Sequence, residues 1–143
     1  MTSVSDSVVF RNIFSTPEVS EIWSDQARTQ YYLEFEAKLA LVQARRGIIP
    51  QEAADVIQAK CQVRLMDMRY LEAETTRIGY PLLPVVKELV RLANEEKPGL
   101  QLGEWAHWGA TTQVCSTSID VDIGFIFQGC NGHCDNTPIE GHL

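Results

Sequence analysis

The sequence predicts an all-α fold, and three observations predict it. Apolar residues recur at three- and four-residue steps over residues 25–46 and again over 84–94. Each of these stretches is preceded by residues suited to starting a helix and followed by glycine or a glycine-containing loop. Nothing in residues 1–113 alternates apolar and polar side chains as a half-buried strand does, and no internal repeat appears.

Residues 1–12 read as a loose arm. Ser15-Thr16-Pro17-Glu18 opens the first helix, with Ser15 as the cap, Glu18 completing a capping box and Pro17 in the first turn. That helix is short and carries Val19, Ile22 and Trp23. Ser24-Asp25 starts a second helix that runs to Arg46. Leu33, Ala37, Ala40, Leu41 and Ala44 form its apolar stripe, and Glu34, Lys38 and Arg45 lie off it. Gly47 ends it, because glycine takes a positive φ at little cost. Ile48-Ile49-Pro50 reads as a buried connector to a short helix from about Glu52 to Lys60.

A fourth helix is expected from about Val63 to Ile78, ended by Gly79, with Asp67, Glu72 and Glu74 on a solvated face. Pro81 and Pro84 fit a first turn but not a helix interior. A fifth helix therefore covers Pro84 to Asn94, with Val85, Val86, Leu89, Val90 and Ala93 facing the core. Glu95 to Glu104, with Pro98, Gly99 and Gly103, reads as a loop. At Val114 the character changes. Residues 114–143 show no helical stripe and are expected to form a divergent, disordered tail behind a helical domain of residues 1–113. Ile123 to Phe127 is the one strand-like run in that tail.

The composition is that of an ordinary globular chain, 45% hydrophobic and 22% charged. The net charge is -7; all 12 Lys and Arg precede Val114, and the tail adds Asp120, Asp122, Asp135 and Glu140. An acidic chain with no basic patch is not built for nucleic acid or an anionic membrane. No apolar run nears the roughly 20 residues of a membrane span, and Met1 to Ser7 lacks the basic start and apolar block of a signal peptide. Of Cys61, Cys115, Cys130 and Cys134, three fall near the C-terminus, so they do not frame the fold as disulfides. A reducing, cytoplasmic setting follows as the expectation.

One segment carries a functional signal: Trp105-Ala106-His107-Trp108-Gly109-Ala110-Thr111-Thr112-Gln113. Gly109 and Ala110 let backbone approach a ligand. Thr111, Thr112 and Gln113 offer hydroxyl, amide and, at a helix start, free N–H groups, a combination that suits a carboxylate or phosphate. The plainer reading of the same residues is a threonine cap beside an ordinary loop histidine.

His107 to Gln113 resembles the first signature of the fumarase/aspartase superfamily. It resembles most the branch holding 3-carboxy-cis,cis-muconate cycloisomerase, trans-aconitate decarboxylase and adenylosuccinate lyase. The landmarks Ile13 to Glu18, Trp23-Ser24-Asp25, the helix with Leu33, Glu36 and Ala40, Gly47 to Pro50 and Gly79-Tyr80-Pro81 stand in the matching order, so the resemblance covers about residues 8–113. It implies the small helical N-terminal domain of that fold. It implies also that Thr111 and Thr112 hold a substrate carboxylate, that His107 lines the same pocket, and that Gln113 lies beside it. The family reaction removes a proton next to a carboxylate and stabilises the charge that builds there, with no metal and no organic cofactor. The resemblance further implies a homotetramer acting on a small polycarboxylate by elimination, cycloisomerisation or decarboxylation. Ile13 and Phe14 stand where adenylosuccinate lyases carry an Arg-Tyr pair that contacts a phosphate, which favours a tricarboxylate over a nucleotide. An adenylosuccinate lyase-like activity stays as an alternative.

The pattern then departs from the family. Asp and a long bundle helix would follow Gln113, and Val114-Cys115-Ser116 stands there instead. The later Thr-His segment and the Gly-Ser-Ser loop with the serine base are absent from the sequence. No complete catalytic set is present, so a chain truncated before the central helical bundle is expected to be inactive alone. Val114-Cys115 can be encoded GTATGT, a common intron donor sequence, so a retained intron is one source of a foreign tail. A non-catalytic, partner-binding fragment is the alternative class, since missing bundle helices would leave apolar faces bare. Cys130, His133 and Cys134, with Cys115 or His142, are zinc-ligand types, but they lack the paired spacing of structural sites, and no metal is expected. Cys61 reads as a buried structural thiol.

Overall fold

A computed structural model describes Ser7, Val9, Phe10, Ile13 and residues 16–120, and every regular element among them is helical. Helix α1 (Pro17–Ile22) is capped by Thr16, whose hydroxyl accepts from the Val19 N–H at 3.4 Å; the expected cap Ser15 lies outside the described residues. The proline then falls at the first helical position, where its missing N–H costs nothing. Ser24 caps α2 (Asp25–Arg45) by accepting from the Ala27 N–H at 3.2 Å. At its end Gly47 takes φ +70°. The Gly47 and Ile48 N–H groups then reach back to the carbonyls of Ala44 and Gln43, each at 2.9 Å. The following connector is buried on one side only: Ile49 is enclosed and Ile48 is 54% exposed.

Helix α3 (Gln51–Lys60) buries Ala53, Ala54, Val56 and Ile57. The single helix expected over residues 63–78 is two elements, a 3-10 turn at Val63–Leu65 and helix α4 (Met68–Ile78). The Asp67 carboxylate divides them by accepting from the N–H groups of Arg69 and Tyr70, at 3.0 and 3.2 Å, which caps a new start. Asp67 is therefore a cap, and not part of a solvated helix face. Gly79 at φ +93° ends α4. Helix α5 (Leu82–Glu96) begins two residues before Pro84, which sits at the third helical position, where no backbone acceptor is available to a donor anyway. The expected loop after it contains a second 3-10 turn, Leu102–Trp105.

The largest departure from expectation lies past Gln113. Residues 112–120 are helical, here called α6. Cys115 is 0% and Ile119 3% exposed, one helical turn apart. A stripe two residues wide among Ser, Thr and Asp does not stand out in composition, yet it is enough to dock the helix. Helical structure therefore does not stop at Val114. Residues 121–143, with Ile123 to Phe127, Cys130, His133, Cys134 and His142, lie outside the described residues, as do most of residues 1–12.

Helices α2, α3 and α5 form the packed centre, with the Leu102–Trp105 turn on α3 and α5, and α4 against α5. Leu33, Ile57, Leu82 and Leu89 are fully buried there, each stabilising the fold by about 1.5–3 kcal/mol relative to exposure. Cys115 and Ile119 join the same cluster, so α6 is part of this core. No helix among the described residues is long and apolar enough to cross a membrane.

Candidate functional site

The buried face of α2 contains a carboxylate. Thr29, Tyr32, Leu33, Glu36 and Ala40 recur at helical spacing and are enclosed. The Glu36 side chain is 0% exposed. Glu36 and Gln43 are seven residues apart and so lie on one face, two turns apart. Ala40 lies between them and is too small to hold a neighbouring backbone away.

The segment that settles on this face is Trp105 to Ala110. Glu36 Oε1 lies 2.6 Å from His107 Nδ1. The Gln43 side-chain amide donates to the Trp108 carbonyl at 2.7 Å. The Trp105 and Trp108 rings meet at 4.7 Å between centroids, tilted by 51°. The Ala110 N–H donates to the His107 carbonyl at 3.2 Å, closing a turn whose third residue, Gly109, has φ +66°. His107 itself has φ +58°. A non-glycine residue there carries backbone strain of about 1–3 kcal/mol, which persists only where surrounding contacts fix it. Glu36 and Gln43 are the contacts that do so.

Upstream, the same segment is anchored to α5. Asn94 Oδ1 accepts from the Gly103 N–H at 2.7 Å. A Cβ on Gly103 would come within 2.3 Å of the Val90 carbonyl oxygen and 2.9 Å of Asn94 Oδ1. Gly103→Ala is therefore expected to destabilise the chain by about 1–3 kcal/mol, read as a lower midpoint of thermal unfolding. A midpoint equal to wild type would refute the close approach.

Burial raises the Glu36 carboxyl above its ordinary value, and the hydrogen bond and charge of His107 only partly offset this. Two neighbouring thiols, Cys61 and Cys115, are pushed up to about 12, by burial first and by the negative charge of Glu36 second. Both are buried free thiols, as expected for Cys61 from sequence. A group whose folded-state pKa is raised contributes stability that is fully present below its unfolded value, here 4.5, and lost as pH rises through the folded value. Wild-type stability, taken relative to that of Glu36→Leu, should therefore fall as pH rises above 4.5. Parallel unfolding curves for the two chains from pH 4 to about 8 would refute that linkage.

Of the sequence-predicted residues, His107 is 13% exposed and tied to Glu36. Thr111 caps α6: its hydroxyl accepts from the Gln113 N–H at 3.3 Å and its carbonyl from the Val114 N–H at 3.1 Å. Thr111 and Gln113 are exposed and Thr112 is half-buried. The structure thus puts a buried acid–histidine pair and an open helix start on either side of one tight turn. It also adds Glu36, which sequence reasoning used only as a landmark. The available signal was a carboxylate in register with Leu33 and Ala40 on an apolar stripe, where an unpaired charge is costly. A separate cleft of about 270 Å³, lined by Arg28, Thr29, Tyr32, Met68, Leu71 and Glu72 among others, shares none of Glu36, His107 or residues 111–113.

No protein-family model matches the chain. The chain is 46% identical over 114 residues to trans-aconitate decarboxylase 1 of Mycosarcoma maydis, which covers 79% of this chain and 22% of that protein. Its fold matches the crystal structure of 3-carboxy-cis,cis-muconate lactonizing enzyme from Pseudomonas putida with TM-score 0.75 and 31% identity, over 84% of this chain and 27% of that one. It matches the crystal structure of fumarate lyase from Mesorhizobium with TM-score 0.68 and 36% identity, over 82% of this chain and 26% of that one. The chain spans about a quarter of the length of the curated relatives it matches.

Proposed function

We propose, for a chain that belongs to the fumarase/aspartase superfamily, that residues 107–113 form the carboxylate-binding wall of a site for a small polycarboxylate. The whole enzyme would eliminate, cycloisomerise or decarboxylate that substrate. The observation that carries this reading is the junction at residues 107–112, where His107, fixed by Glu36, is followed within five residues by an α-helix start with hydroxyls at Thr111 and Thr112. A helix start presents N–H groups and the positive end of the helix dipole, and the hydroxyls add neutral donors. Such donors favour an anion, and they favour it more as negative charge grows on the carboxylate after loss of the adjacent proton. The part read here for residues 107–113 is to bind the substrate and to stabilise charge.

The test uses trans-aconitate, the compound in one relative's name, and the isolated chain. Amide signals of residues 107–113 should shift on titration with an affinity near the millimolar range, about -4 kcal/mol. Thr111→Val and Thr112→Val should each weaken it several-fold. No shift in this segment at tens of millimolar, with roughly 20 mM as the ceiling, overturns the carboxylate reading.

A second reading, a non-catalytic fragment that docks on a partner, is supported by apolar exposure beside the same turn. Trp108 is 47%, Val114 52% and Val42 54% exposed. Co-purification with a full-length homologue, without turnover of a tricarboxylate by the chain alone, would favour it. Turnover by the isolated chain would exclude it.

A further inference from the structure

Glu36 fixes the His107 end of the carboxylate wall from inside the protein. It is the most deeply enclosed charged side chain among the described residues, 1% exposed. Its Oε1 is 2.6 Å from His107 Nδ1, while its Oε2 and His107 Nε2 are buried and without a hydrogen-bond partner among the described residues. The other ionisable neighbours named around it, Cys61 and Cys115, are held as neutral thiols. Its only ion-pair partner among the described residues is His107. An acid and an imidazole at this distance share a proton whichever of the two nominally holds it.

The low dielectric of the site decides how many protons the pair keeps in total. A pair that held only the shared proton between Oε1 and Nδ1 would carry a net negative charge with no cation beside it, which burial penalises heavily. A pair with one more proton is net neutral, either as carboxylate and imidazolium or as acid and imidazole. In the first form, and in the second when the acid proton is the one shared through Oε1, His107 Nε2 bears hydrogen; an acid proton on Oε2 would have no acceptor among the described residues.

We infer that Glu36 is a positioning residue that keeps the Glu36–His107 pair net neutral and thereby fixes His107 Nε2 as a hydrogen-bond donor, directed to a substrate carboxylate and not poised as a base. The assignment of the carboxylate as recipient rests on the reading of residues 107–113 given above. The state of the ring does not. The consequence is chemical: with Nε2 occupied, His107 cannot take the proton next to the carboxylate, and its part is to bind and to stabilise charge. The strained backbone of His107 fits this, since a ring whose orientation matters is worth holding by a second residue.

Nitrogen NMR of the His107 ring decides it, in the whole chain at pH 7, for wild type and Glu36→Leu. In wild type, Nε2 should show the signature of a protonated ring nitrogen with a bonded hydrogen. Glu36→Leu keeps volume but removes the partner of Nδ1, and its Nε2 should lose that signature in part, with both tautomers visible. Circular dichroism confirms that the variant is helical. If it is not, the wild-type spectrum alone still decides. A bare Nε2 in wild type overturns the inference, and so does a folded Glu36→Leu with an unchanged ring. Titration with trans-aconitate then separates the two proposals. A protonated Nε2 with no response of residues 107–113 keeps the neutral pair and sinks the carboxylate wall. A response at least about tenfold weaker in folded Glu36→Leu, equal to about 1.4 kcal/mol, supports positioning. An equal response overturns it.

Discussion

Leu33→Ala is expected to destabilise the chain by about 2–5 kcal/mol, the largest effect of any single truncation considered. Leu33 is 0% exposed and sits in the packed centre of α2, α3 and α5, one turn before Glu36. Removing its branched end forfeits transfer energy and leaves a cavity that rigid helices cannot close. Domains of this size have total stabilities of roughly 5–15 kcal/mol, so the loss is a large fraction of the whole. In urea, with a slope of about 1–3 kcal/mol per molar, the midpoint should drop by about 1–2 M. A drop smaller than about 0.3 M would mean that α2 does not pack as described. Because Glu36 and Gln43 hang from the same face, the variant should also loosen the Trp105 to Ala110 turn, read as faster amide exchange there.

Glu36→Ala comes next, at about 2–3 kcal/mol. Truncating one member of a buried ion pair costs about 3–5 kcal/mol where the survivor is stranded with its charge. His107 is not stranded in that way, because its side chain is 13% exposed and in reach of water. What remains is a lost charge-assisted hydrogen bond and a small cavity beside Ala40. The cost should exceed that of Glu36→Leu, which fills the space. It should also exceed that of Gln43→Ala, whose bond to the Trp108 carbonyl lies at an exposed position. Equal denaturation midpoints for Glu36→Ala and wild type would show that the buried pair contributes nothing to the fold.

Much of the local structure was legible in the residues. Ser24 as a cap, Gly47 and Gly79 as stops, and the α2 and α5 stripes all follow from chemistry that acts within a few positions, where sequence distance equals spatial distance. The misreadings have the same physical origin. Asp67 looks like a surface acid until it is seen to cap two N–H groups. Residues 112–120 carry too narrow a stripe for periodicity to reveal, and they are helical because Cys115 and Ile119 meet a core made by other elements. The cysteine that looked like a possible metal ligand is there a buried apolar plug.

What the sequence determined by itself is the helical class, the capping and stopping of most helices, and the segment from His107 to Gln113 as the place to look. Only the tertiary structure decided what His107 touches. Glu36 and His107 are 71 positions apart, and no local propensity relates them. They meet because the α2 stripe must be buried, and burying it carries Glu36 into a low-dielectric interior. There a carboxylate persists only beside a partner with which it can share a proton.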